Sequence, residues 1–195
     1  GSFNRFIIYK NIGNNFTNFA EPMGANQGAH KGSHKWGDFD NDGDLDILIC
    51  GTDIWDNKKL MIYRNDNTVF TLSSQPLGIN KGVYNSDVQF GDYDNDGDLD
   101  LAVSGFDGSD SRLLIYRNDT GSFNLECEPM GSGVGFNYSS IVWGDCDNDG
   151  DLDLVVSGVD NAGKSRLILF KNKTTIKNIR PSAPVFRSHA YALWR

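Results

Sequence analysis

A nine-residue acidic phrase occurs three times in this chain at nearly constant spacing. Asp38-Phe39-Asp40-Asn41-Asp42-Gly43-Asp44-Leu45-Asp46 returns at Asp92 to Asp100 and at Asp145 to Asp153, differing only at the second position. Each copy sets five carboxylates in nine residues, and these repel one another unless a cation lies among them. Hard oxygen donors at alternate positions, with glycine at the sixth for a sharp turn, suit a calcium loop. In such a loop the first, third and fifth side chains face inward. The seventh residue gives its backbone carbonyl, and the ninth closes the cage. The expected ligands are Asp38, Asp40, Asp42 and Asp46 with the carbonyl of Asp44. In the second loop they are Asp92, Asp94, Asp96, Asp98 and Asp100, and in the third Asp145, Asp147, Asp149, Asp151 and Asp153. That makes three Ca2+ sites per chain.

The residues that follow decide which calcium motif this is. An EF-hand needs a bidentate glutamate at position twelve and flanking helices. Position twelve here is Ile49, Val103 or Val156. The continuation Leu45-Asp46-Ile47-Leu48-Ile49-Cys50-Gly51 is rich in β-branched residues and ends in glycine, which reads as a buried strand. A loop between two strands is therefore expected. A metal-free acidic turn is the plain alternative, and the threefold regular spacing argues against it.

The charge balance follows from these loops. They hold fifteen of the 26 acidic residues, and three Ca2+ would bring the formal net charge from -8 to -2. No basic stripe suits nucleic acid, and no apolar run approaches a membrane span. Neither nucleic-acid binding nor membrane insertion is expected. At 195 residues the chain can bury a sizeable single core. Cys50, Cys127 and Cys146 form neither a zinc spacing nor a disulfide framework. No nucleophile elbow, phosphate loop or dinucleotide fingerprint is present. His30 and His34 are four apart but lie among Gly, Ser and Lys, a weak basis for a zinc hydrolase. Asn15, Asn118, Asn137 and Asn172 begin Asn-x-Ser/Thr patterns, which are short and often false.

Around the acidic phrase lies a longer repeat. Trp36, Phe90 and Trp143 precede Gly-Asp at intervals of 54 and 53 residues. Each unit runs in the same order: a first strand, the acidic loop, an apolar second strand and a loop opening at Asp53, Asp107 or Asp160. A third strand ends at Asn65, Asn118 or Asn172; a more polar fourth strand and a Pro-x-Gly linker follow. Four short strands per period of about fifty residues indicate a propeller blade. The expected fold is an all-β propeller of four-stranded blades over residues 1–173. Its parts are a half blade at about 5–24, blades at 33–78 and 86–131, and a partial blade at 139–172. Residues 174–195 read as a linker or tail. Ser188 to Arg195 belong either to a following module or to a recruited outer strand.

The units Trp36 to Gly51, Phe90 to Gly105 and Trp143 to Gly158 resemble FG-GAP/VCBS repeats, the calcium-binding blades of integrin α-subunit propellers and of many exported bacterial proteins. The resemblance implies calcium loops on one rim that stiffen the blades, and a ligand face on the opposite rim. Candidate ligand-binding residues there are Trp55, His30, His34, Tyr84, Tyr138 and Arg112. Trp55 stands out because its counterparts in the other units are small or polar. Trp36, Phe90 and Trp143 are expected to pack between blades.

The expected function is a calcium-stabilised binding or adhesion module recognising a protein or a glycan. A calcium-dependent phosphoester or lactone hydrolase and a purely structural spacer are the alternatives. Weak calcium sites fill where calcium is millimolar, so a secreted or cell-surface location is expected, with Gly1-Ser2 read as a cloning remnant in place of a leader. Two complete and two partial blades leave sheet edges open. A homo-oligomer, a dimer first, is expected to complete the ring, the half blade pairing with the partner's carboxy-terminal strands.

Overall fold

The computed structural model describes residues 5–25, 27–79, 81–173 and the backbone of 187–189. Among them there is no helix. Fourteen strands run in chain order: β1 Ile8–Ile12, β2 Asn15–Ala20, β3 His34–Gly37, β4 Asp46–Thr52, β5 Lys58–Asp66, β6 Val69–Ser74 and β7 Tyr84–Gly91. They continue as β8 Asp100–Phe106, β9 Ser111–Asp119, β10 Ser122–Cys127, β11 Asn137–Gly144, β12 Asp153–Val159, β13 Ser165–Lys171 and β14 Arg187–His189.

These strands form propeller blades. The sheets are β3-β4-β5-β6, β7-β8-β9-β10 and β11-β12-β13-β14, with β1-β2 forming a half blade before them. All pairings are antiparallel between strands consecutive in the chain, and the last spans the longest connection. There, β14 reaches back from the tail to pair with β13, matching Leu169 with His189. Between the two readings of the tail, the backbone of 187–189 thus adds an outer strand. The outer edge of β13 is accordingly taken within the chain.

The blades stack face to face, so their second strands are buried on both sides and read as continuous apolar runs. Along β4, Ile47 and Ile49 join Met23, Met61 and Tyr63 beside the half blade. Leu48 and Cys50 face the other way, into a cluster with Leu60, Ile62, Val88, Leu101, Val103 and Leu114. The next interface repeats this with Ala102, Leu113 and Ile115 against Ile141, Leu154, Val156 and Phe170. Each fully buried large side chain contributes about 1.5–3 kcal/mol. Cys50 lies in this core, and burial pushes its thiol up to about 11.

One device recurs at each blade boundary. A Cβ placed on Gly37 would lie 2.6 Å from the Phe90 ring, and one on Gly91 would lie 2.6 Å from the Trp143 ring. Phe90 and Trp143 thus cover the equivalent glycine of the blade before, as expected, whereas Trp36, with only a half blade before it, is exposed and packs on Phe70 of its own blade. Nothing lies within 4 Å of the corresponding position on Gly144. The outward face of the last blade is uncovered to match: Leu167 is 60% exposed, whereas its counterpart Leu113 is 0% exposed beneath the following blade.

Candidate metal centres on one rim

The three acidic loops join β3 to β4, β7 to β8 and β11 to β12, so all three lie on the same rim. Their local geometry is set by the aspartates themselves. The first carboxylate caps the turn: Asp38 accepts from the amides of Asp42 at 3.1 Å and Gly43 at 3.0 Å. Asp92 and Asp145 do the same for Asp96 and Gly97, and for Asp149 and Gly150. The fourth residue, Asn41, Asn95 or Asn148, adopts a left-handed conformation with φ of 57–59°, which asparagine tolerates better than most side chains.

In each loop the first, third and fifth carboxylates converge. Asp38, Asp40 and Asp42 can each offer an oxygen within 4.8 Å of the others, and so can Asp92, Asp94 and Asp96, and Asp145, Asp147 and Asp149. Asp40 keeps one buried carboxylate oxygen without a hydrogen-bond partner. An all-oxygen donor set with an unpartnered buried carboxylate oxygen fits a hard divalent cation such as Ca2+. Its charge would relieve the mutual repulsion of the cluster.

Positions seven and nine play different parts. The seventh carboxylate braces the hairpin between the third and fourth strands: Asp44 accepts from Asn67 N at 2.7 Å, and Asp98 from Thr120 N at 2.9 Å. Its carbonyl, not its side chain, is the group left for a metal. The ninth carboxylate is buried and spans the blade. Asp46 accepts from Phe39 N and Asn65 N, Asp100 from Tyr93 N and Asn118 N, and Asp153 from Cys146 N and Asn172 N, at 2.8–3.1 Å. Burial raises the carboxyl of Asp46 to about 6 against the opposing amide bonds, and that of Asp100 to about 8. Burial, with repulsion from Asp96, raises Asp94 to about 6.

Several participants were not anticipated from the sequence. A cation on each third strand, Arg64, Arg117 or Lys171, lies beside the acidic rim. Arg64 pairs with Asp40 at 2.9 Å and Asp42 at 3.3 Å, and Lys171 with Asp147 at 2.6 Å. Arg117 turns instead to Asp119 and Glu126. The loops are also tied to one another. Asn41 donates to Gly97 O and Asp98 Oδ1, and Asn95 to Gly150 O and Asp151 Oδ1. Asn118 and Asn172 reach back across a blade boundary to Phe39 O at 2.8 Å and Tyr93 O at 2.6 Å. Both asparagines are buried, a role the Asn-x-Ser/Thr reading did not contain. Among the described residues, the clusters of three or more metal-type donors are these loops, with one variant joining Cys146 to Asp147 and Asp153.

The opposite rim carries the candidate ligand-binding residues, but they do not form one site. His30, Tyr84 and Asn137 are equivalent positions, each paired with a second-strand residue: Thr52, Phe106 and Val159. The residue after each, Lys31, Asn85 or Tyr138, has φ of 48–56°, producing a strand bulge. Tyr84 and Tyr138 therefore open strands where loops were expected. Tyr84 stacks edge-on with Phe106, and Tyr138 is exposed. His34 lies in β3 against the ring of Phe6. Arg112 bridges Asp107 at 3.2 Å and Glu128 at 3.1 Å. Asp53, Asp107 and Asp160 act as turn formers, each accepting two amide bonds from its own loop. Trp55 projects from the first of these loops and is 69% exposed.

A family model described as an FG-GAP-like repeat matches residues 38–103 and 102–156, more than half of the chain. Each matched stretch runs from one blade into the second strand of the next, so the sequence unit straddles the blade boundary. No curated protein matches the chain.

Proposed function

The chain belongs to the FG-GAP-like repeat family, and from that premise we propose that it is a calcium-stabilised propeller module of an exported protein, binding a protein or a glycan through the rim opposite its acidic loops. The observation that carries the metal assignment is the threefold convergence of three carboxylates within a loop whose other groups are already engaged in the fold. Because each loop is tied to its neighbour, a cation there acts on blade stacking and not on a substrate. Calcium is the cation of choice because three converging carboxylates in each loop offer hard oxygen donors.

The binding role is supported by Trp55, a large exposed aromatic on a loop fixed by the Asp53 turn. Exposed aromatics of this kind often dominate recognition energies. A glycan and peptide array probed with the native chain and with Trp55→Ala tests it. Binding lost in the variant supports the assignment, and binding unaffected by it removes Trp55 from the site. Completion of the ring by a second copy is supported by the uncovered last blade, where Gly144 and Leu167 lack the cover that Gly91 and Leu113 receive.

A further inference from the structure

The three blade boundaries differ on the rim opposite the acidic loops, where one blade's linker and third-strand start meet the next blade's second loop. Between the half blade and the first complete blade the space is about 10 Å³, closed by Ile54 and Trp55 over Met23. Between the second and third complete blades Asn161 bridges the gap, donating to Gly133 O at 2.8 Å and accepting from Ser111 N. Between the first and second complete blades the groove is open, with a cavity volume of about 460 Å³. That size falls in the range of small-ligand sites, about 300–1,000 Å³.

The open groove is also basic, in a chain whose net charge is -8. Lys58, Lys81 and Arg112 line it with a single carboxylate, Asp107, over an apolar floor of Leu77 and Leu114. Asp107 is already held by Arg112, whose remaining Nη bonds Glu128. No ion pair engages Lys58 or Lys81 among the described residues. The Lys58 ammonium crosses the blade boundary and lies 2.6 Å from where a Cβ on Gly108 would sit. A side chain at that position would fill the space the lysine needs. The equivalents of these two lysines at the following boundary are Ser111 and Val134, so the charge belongs to this groove and not to the repeat.

We propose that the groove between the first and second complete blades binds a sugar-sized ligand bearing a sulfate or phosphate ester. The argument rests on the type of cation available. Arg112, the one planar fork suited to bidentate carboxylate recognition, is spent on Asp107 and Glu128. What remains is two mobile point charges, which suit a tetrahedral oxyanion with several acceptor oxygens. The leucine floor accommodates the carbon skeleton of the ligand. The inference rests on the binding-module reading and specifies one site on that rim.

Isothermal titration in millimolar calcium with glucose 6-sulfate, glucose 6-phosphate and glucose tests it. The phosphate and sulfate arms distinguish which ester the site takes. Binding of either ester, with glucose at least tenfold weaker, is expected. Lys58→Gln/Lys81→Gln should weaken it at least tenfold, and Lys10→Gln/Lys173→Gln, with the same net charge, should not. Unchanged melting temperatures keep a folding defect apart from a lost site. Absence of binding to both esters, or equal loss in the two double variants, overturns the proposal. In that event, array binding that is lost with Trp55→Ala leaves the module reading standing, and no binding to any glycan or peptide removes both.

Discussion

Asp46 and Asp100 show how a single residue couples the acidic rim to the fold. Each is fully buried and accepts two backbone amides, one from its own acidic loop and one from the third strand. Burial raises both carboxyls, to about 6 and about 8, and raises Asp94 to about 6. A carboxyl raised above its unfolded value of about 3.9 contributes stability that is complete below that pH. That contribution is lost as pH rises through the folded value. In chelator, therefore, the melting temperature should fall between pH 5 and pH 8. In millimolar calcium the trend should reverse, because the metal takes only ionised ligands. Paired melts across this range check both signs, and a chelated melting temperature that climbs with pH contradicts the assignment. The asparagines that close the third strands give a second test. Asn118→Ala strands the carbonyls of Phe39 and Leu99 and should cost about 2–3 kcal/mol in urea unfolding. Asn65→Ala releases the carbonyl of Leu45 and the amide of Thr68, both at exposed sites, and should cost less than about 1 kcal/mol.

The four-strand unit and its loops were legible in the sequence because their signals are local. Alternation, β-branched runs and Gly-rich turns each lie within a dozen residues. The second position of the acidic loop was not legible. Phe39, Tyr93 and Cys146 look like a variable spacer among aspartates. Yet Phe39 and Tyr93 are buried at 1%, Phe39 against a tilted Phe123 ring and Tyr93 stacked on Trp143, while Cys146 is exposed. Their role is set by the next blade, through rings 84 and 50 residues away, which no local pattern reports. The strand bulges at Asn85 and Tyr138 escaped for a related reason, since neither residue type announces positive φ as glycine does. The aromatic-on-glycine contact yields a steric comparison. Gly91→Ala drives a methyl into the Trp143 ring and should destabilise by about 1–3 kcal/mol. The same change at Gly144, where nothing is near within the chain, should stay within about 0.5 kcal/mol when both are measured in the monomeric Leu167→Lys/Leu169→Lys background. Equal costs at the two positions would remove the stacking argument.

At the scale of the whole molecule, the blades form an arc with one finished interface repeated and one face bare. Leu167, at the place where Leu113 is buried, is exposed together with Val142. An apolar face of this kind favours association. Sedimentation in calcium should give a dimer for the native chain and a monomer for Leu167→Lys/Leu169→Lys; a native monomer would contradict completion of the ring by a second copy. Stacking itself is attributed to the acidic loops, which asparagine amides tie to carbonyls and to Asp98 and Asp151 of the adjoining blade. The most direct test of that attribution is calcium titration of chelator-stripped protein, with heat of binding and melting temperature read on the same samples. Three ions bound per chain and a steep rise in melting temperature are expected, whereas fewer ions, or binding without any gain in stability, would contradict it.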